Sequence, residues 1–306
     1  MARRRSLKLA LPATVVPPLT PFTAAGAVDL VALERMVNYV VEDCQATMVV
    51  AAGVEAQEYQ YLGFSARKDL IRSTIEMVGG RRPVAVGISH PATDVVLELA
   101  DFAQQHGASA LQLLAPLKPT GGQPTTKELV RYFEAVLQQT ELPLMLYLNP
   151  GPGADVSIKD TIELAKLAGI DFVKESSRDL SRVSRLIEEI EHGGHAHYFT
   201  TMQMHLASLM LGGAGVTLPP PAARIADRLQ RAFVAGNWAE AARLQRQFAC
   251  FPSRWMEFGL AAVMKAALNA LGLAVGDPYP PYEPLNAEAL ATLATYLQTT
   301  DLRPSA

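Results

Sequence analysis

Eight lysines occur in the 306-residue sequence, and Lys8, Lys68, Lys127, Lys159, Lys166 and Lys265 fall in the N-terminal arm or in stretches with helical apolar spacing. Two stand apart: Lys118 in "APLKPT", and Lys174, which closes the apolar run of "GIDFVKESSRDL". A lysine amine becomes a useful nucleophile when desolvation or a neighbouring cation lowers its pKa from about 10.4 toward neutrality. Lys174, directly behind Phe172 and Val173, meets the first condition if that run is a buried strand. Tyr147, in "LPLMLYLNP", is of the type that relays protons to and from an amine adduct. Each has a plainer alternative, a buried ion pair with Glu175 for Lys174 and core packing for Tyr147.

Both residues need a framework to bring them together. Eight short β-rich runs punctuate the sequence: "ATVVPPL", "ATMVVAAG", "PVAVGIS", "ALQLLAP", "LPLMLYLNP", "DFVKES", "HAHYFTT" and "AGVTLPP". Segments with apolar residues at i, i+3, i+4 separate them, among them "DLVALERMVNYVVEDC" and "TKELVRYFEAVLQQT". Asp29, Ser65, Thr93, Thr125 and Ser157 suit N-caps or first turns, and Gly107 and Gly169 suit helix stops. This alternation predicts parallel βαβ units closing into a (β/α)8 TIM barrel of the α/β class. The competing open doubly wound sheet usually carries a glycine-rich phosphate loop after its first strand, and "PPLTPFTAAG" is not one. The expected division is a barrel over 1–236 and a C-terminal helical appendage over 237–306, where the pattern turns purely helical.

In such a barrel the reactive groups sit at the C-terminal strand ends and the loops after them. Those ends read Thr20 and Pro21, "GVEAQEY", Ser89 and His90, Lys118, Tyr147 and Asn149, Lys174 and Glu175, Thr200 and Thr201, and Leu218 onward.

Composition narrows the function classes. With 49% hydrophobic residues, 19% charged residues and a net charge of -3, the chain reads as an ordinary globular protein with a large core, without the basic stripes that nucleic acid requires. Cys44 and Cys250 lie in apolar helix-like sequence, which predicts buried thiols in a reducing cytoplasm rather than a disulfide or zinc site. His90, His195, His197 and His205 lack metal-ligand spacing and read as polar surface or loop residues, so no metal is expected. Pro12, Pro17 and Pro18 interrupt the apolar part of the basic start, which reads as a frayed arm rather than a signal peptide. No apolar run of about 18 residues predicts a membrane span.

With Lys174 and Tyr147 placed, the chain resembles the dihydrodipicolinate synthase and N-acetylneuraminate lyase family of class I aldolases. The likeness runs from "PPLTPFTAAGAVDL" through "RRPVAVGISHPATDVVLELADFAQQHGASALQLLAPLKPT" to "YLNP", "DFVKESSRDL" and "LGGAGVT". The resemblance implies that Lys174 forms a Schiff base with pyruvate or another 2-keto acid and that Tyr147 relays protons. It further implies a barrel with C-terminal helices in a homotetramer or homodimer. No dissolved cofactor is implied, since the lysine adduct is the electron sink.

The departures bear on substrate choice. The family's G-x-T-G-E stretch, which holds the keto acid's carboxylate, reads "GVEAQEY" here, so Ala56, Gln57 and Glu58 become candidate substrate-binding residues. Lys118 aligns with a tyrosine of the family's relay, and is expected either to bind an acidic substrate, to lower the pKa of Lys174 as a like charge, or to be a solvated loop residue. Thr201 and, at the glycine-rich eighth strand end, Val216 complete the candidates, with Thr200 and Gln203 behind them. The family's arginine after the YNxP motif is missing from "YLNPGPGAD". These losses lead us to expect a Schiff-base lyase or aldolase that is not itself a dihydrodipicolinate synthase. A dehydratase or deaminase of 2-keto sugar acids working through the same lysine, and a non-catalytic ligand-binding relative, are the alternatives.

Overall fold

The protein is described by a computed structural model covering residues 5–120 and 122–302; the basic start at 1–4 lies outside the described residues. All eight apolar runs form strands: β1 (Ala13–Val16), β2 (Met48–Ala51), β3 (Val84–Gly87), β4 (Ala110–Leu114), β5 (Leu144–Leu148), β6 (Ile170–Glu175), β7 (His197–Thr200) and β8 (Gly215–Thr217). They pair in sequence order, all parallel, and β8 returns to β1, closing the barrel.

The helices that cross between strands are α1 (Leu30–Asn38), α2 (Phe64–Val78), α3 (Thr93–Gln105), α4 (Thr126–Gln139), α5 (Ile158–Ala165), α6 (Leu180–Leu186), α7 (His205–Met210) and α8 (Ala222–Val234). Asp29, Thr125 and Ser157 cap α1, α4 and α5 through side-chain oxygens, and Thr125 forms a reciprocal capping box with Glu128. Ser65 and Thr93 sit in first turns, and Gly107 and Gly169 adopt positive φ past the ends of their helices. Beyond the barrel, α9 (Trp238–Gln247), α10 (Leu260–Ala270) and α11 (Ala287–Leu297) form the C-terminal helical part.

Strand alternation divides the apolar side chains into two sets. Inward residues fill the barrel, where Ala13, Ala85, Ala110 and Ala214 make room for Phe172 and Phe199. Outward residues merge with the helices into a second cluster that continues into the C-terminal helices through Leu244, Phe248, Val263 and Leu293. Closure depends on Gly215, whose φ is +150° and where a Cβ would stand 2.0 Å from the Ala13 carbonyl oxygen.

A buried ion pair fastens the C-terminal helices to the mouth of the barrel. Lys265 of α10 meets Glu58, in the loop after β2, at 2.7 Å, with both side chains almost fully buried. The other Glu58 oxygen accepts the Thr20 N–H at 2.7 Å, and Lys265 Nζ also donates to the Thr20 carbonyl at 2.8 Å. Removing one partner of such a pair strands a buried charge at a cost of about 3–5 kcal/mol. Lys265→Met is therefore expected to lose about that much stability in chemical denaturation, and the double variant Glu58→Gln/Lys265→Met to recover part of it. A single variant within about 1 kcal/mol of the parent would show that the pair does not fasten the fold.

Candidate active site

The inward direction of Lys174 is set by an irregularity in β6. Leu144 of β5 pairs with Ile170, but the next residue, Met145, pairs with Phe172, so Asp171 is an extra residue in the strand. Ile170 packs in the outer cluster and Phe172 in the barrel interior, so the bulge shifts the alternation and carries Lys174 inward. The same register places Lys174 directly beside Tyr147.

Lys174 is 1% exposed. Its Nζ donates to Ser176 Oγ at 2.9 Å and stands 5.2 Å from the centre of the Tyr147 ring. Burial is the main cause lowering its pKa, to about 8; the anions Glu55 and Glu175 oppose the shift, and Arg178 adds to it. Lys118 is not the like charge: it lies at the surface, 2.9 Å from Glu128 of α4. Nor does Lys174 pair with Glu175, which as the next residue on the strand faces the other way. Glu175 accepts from Arg182 Nε at 3.0 Å, Tyr198 Oη at 3.0 Å and the Ser177 N–H at 3.1 Å.

Tyr147 is buried, packed with Val54 and Leu114. Burial, and then the charge of Glu55, hold its hydroxyl well above the usual tyrosine range, while hydrogen bonding with Ser176 opposes this. Ser176 thus touches both the amine and the phenol, a role that sequence reasoning missed because a serine after a strand end is common.

Glu55 was missed as well. Its Oε1 accepts from Gln112 Nε2 at 3.3 Å, while its Oε2 is buried without a hydrogen-bond partner. Burial raises its pKa to about 7 against the pull of Lys174. Gln112, fully buried on β4, also accepts the Val54 N–H through Oε1 at 3.0 Å, so one side chain holds two consecutive residues of the β2 loop. That loop comes in over Gly87, where a Cβ would stand 2.1 Å from the Ala52 carbonyl oxygen.

The other candidates are dispersed. Ala56 is half-buried against the outer cluster. Gln57 takes the left-handed conformation at φ +53°, where the family stretch has glycine, and its Nε2 is buried without a partner. Glu58 is occupied by Lys265 and Thr20, which corrects the expectation that it binds substrate. Lys118 and Pro152 instead line a cleft of about 770 Å³ with Tyr59, Arg67, Ser89 and Leu114, which does not include Lys174. Val216 corrects another expectation: it pairs with Thr14, whose hydroxyl bonds Gln230 of α8, and so lies on the outward face of β8. Thr217, paired with the inward Val15, takes the inward place and keeps a buried hydroxyl without a partner. Thr201 is buried after β7, its hydroxyl 3.4 Å from Gln203 Oε1. His205 is no surface residue: it is fully buried at the start of α7, and burial pushes its pKa down to about 3. Cys44 is buried and Cys250 half-buried, both as free thiols. Among the described residues no cluster of metal ligands occurs, and no helix is long and apolar enough to cross a membrane.

Fold and strand-end groups together are those of a (β/α)8 barrel with a buried amine of lowered pKa at its mouth. Residues 11–300 match the Dihydrodipicolinate synthetase family, and the chain belongs to that family, whose members are lyases of the class I aldolase type. The 4-hydroxy-tetrahydrodipicolinate synthase of Bacillus velezensis is 27% identical over 91% of this chain and 96% of its own length. Among solved structures, YagE, a prophage protein of the dihydrodipicolinic acid synthase family from E. coli K12 in complex with pyruvate, superposes with a TM-score of 0.88 at 25% identity, covering 97% of this chain and all of that one. N-acetylneuraminate lyase from Mycoplasma synoviae shares the fold, with a TM-score of 0.81 at 19% identity over 95% of this chain and 98% of that one. With a relative of that name matching over most of the chain, the expectation that the protein is not itself a dihydrodipicolinate synthase is not borne out.

The electrostatics can be tested without substrate. In protein labelled with ¹³C at the lysine Cε, one resonance should titrate near pH 8 and vanish in Lys174→Ala. A Lys174 resonance titrating at the ordinary lysine value of about 10.4 would refute the lowered pKa.

Proposed function

We propose that the protein is a Schiff-base lyase acting on pyruvate or another 2-keto acid, with Lys174 as nucleophile and Tyr147 as proton relay. The observation that carries this reading is the sealed, pKa-lowered Lys174 amine beside the Tyr147 ring and bonded to Ser176. The neutral amine attacks the C2 carbonyl, water leaves, and the resulting iminium draws electrons from the bond to be made or broken next to it. Tyr147, with Ser176 between it and the nitrogen, passes protons to and from the adduct. The adduct is its own electron sink, so the proposal includes no metal and no dissolved cofactor. The pyruvate named with the YagE complex supports a substrate of this class.

Incubation with pyruvate followed by borohydride reduction should leave a stable adduct on the peptide carrying Lys174, detected by mass spectrometry. Lys174→Ala should keep the fold and lose all turnover, and Tyr147→Phe should slow turnover by about 100-fold, the scale of a lost proton-transfer group. Folded protein whose Lys174 peptide stays unmodified across a panel of 2-keto acids would refute the Schiff-base reading.

A further inference from the structure

Two buried Lys–Glu pairs serve this barrel mouth, and they differ in kind. Glu58 and Lys265 are in contact, the ion pair engaging Glu58 Oε1 and the Thr20 N–H engaging Oε2. Glu55 and Lys174 feel each other's charge yet form no contact ion pair among the described residues, and Glu55 Oε2 is left buried without a partner. A buried carboxylate oxygen without a partner is costly to keep. Its position is nonetheless fixed, because Gln112 grips both Glu55 Oε1 and the Val54 N–H. The charged or titratable groups acting on Lys174, Tyr147 and Glu55 are Glu175 at the end of β6, Arg178 after it and Tyr59 in the β2 loop, besides the three themselves. Glu175 is held by Arg182, Tyr198 and Ser177, and Tyr59 lies under Arg67 with 4.0 Å between guanidinium and ring centre, so Glu55 is the carboxylate left with an open oxygen.

We propose that Glu55 is a catalytic acid–base residue of the Schiff-base reaction, exchanging protons with the Lys174 amine and the oxygen it expels. The role rests on the Schiff-base reading of the site. Glu55 carboxylate takes a proton from the Lys174 ammonium, through one bridging water, leaving a neutral amine and a neutral carboxyl. The amine's lone pair forms the bond to C2 as the carbonyl π pair moves to oxygen, and transfer of a proton from nitrogen to oxygen gives the carbinolamine. Glu55 then gives its proton to the carbinolamine hydroxyl; the C–O bond breaks with its electrons leaving on water, and the nitrogen lone pair closes the iminium. The balance is one ammonium and one ketone in, one iminium and one water out, with Glu55 back as carboxylate. A carboxylate with pKa near 7 exchanges protons in both directions at neutral pH.

A purely electrostatic role predicts the opposite sign, which makes the proposal decidable. Glu55 stabilises the Lys174 ammonium, so Glu55→Gln lowers the pKa of Lys174 further and supplies more neutral amine at neutral pH. If Glu55 acted only through its charge, adduct formation in the variant would be as fast or faster. The rate of adduct formation with pyruvate, read by rapid borohydride quench and mass spectrometry across pH, should instead fall by about 100-fold or more in Glu55→Gln and lose an inflection near pH 7. Glu55→Asp, which keeps the carboxylate, should retain the inflection at a reduced rate, and gives the same test if Glu55→Gln fails to fold. Equal or faster trapping in Glu55→Gln, or a Glu55→Asp variant without the inflection, overturns the role of Glu55 while leaving the Schiff base standing. No adduct in the wild-type protein overturns both.

Discussion

An ammonium group sealed from water at the end of a barrel strand must either find an anion or lose its proton, and the mouth of this barrel is arranged around that choice for Lys174. Burial in the barrel mouth removes solvent, the Tyr147 ring covers one side, and the nitrogen donates to the Ser176 hydroxyl at 2.9 Å and to the Glu175 carbonyl at 3.4 Å. Glu175, the anion nearest in sequence, is spent on Arg182 and Tyr198. Glu55 offsets the charge without touching it, so burial lowers the pKa but does not abolish the charged form. Had the Glu58–Lys265 arrangement been used at Lys174, the contact ion pair would have tied up the amine and left no approach for a carbonyl.

Everything that positions this amine is a matter of strand phase. The extra residue at Asp171 turns Phe172 and Lys174 inward, and register with β5 then sets Tyr147 beside the nitrogen. Without the bulge, a regular ladder would pair Lys174 with Leu148, send it into the outer cluster and turn Glu175 inward. Phase also explains β8, where Gly215 lies against Ala13 to close the barrel, Val216 turns to α8, and Thr217 turns in.

The architecture was legible because short, continuously apolar β-rich runs and segments of helical period alternate without interruption, and strand-end logic then isolated Lys174 and Tyr147 from most other lysines and tyrosines. The misplacements have physical causes. Val216 was chosen over Thr217 because a motif gives a neighbourhood and not a face, and the face follows from pairing with β1. Lys265 sits in a helical stripe that reads as packing, so nothing in the sequence announced its meeting with Glu58 across about 200 residues. Lys118 went to Glu128 because the residue that caps α4 brings an acid alongside it, a contact between a loop and the following helix that spacing does not specify.

Glu55 is the most informative omission. In "GVEAQEY" attention falls on what the family stretch has lost, the threonine and glycine, rather than on the acid gained beside them. Gln57 adopts the left-handed conformation at φ +53°, which a non-glycine residue enters at a cost of about 1 kcal/mol or more. A loop that holds such a conformation without glycine, and is stapled by a buried glutamine, is over-determined by its surroundings. The loop carries a carboxylate with one open oxygen, Glu55, and an amide, Gln57, whose Nε2 is buried without a partner. Groups left unsatisfied inside a rigid loop are stable only if the fold has stability to spare or if a ligand completes them, and the charge coupling of Glu55 to Lys174 favours the ligand there.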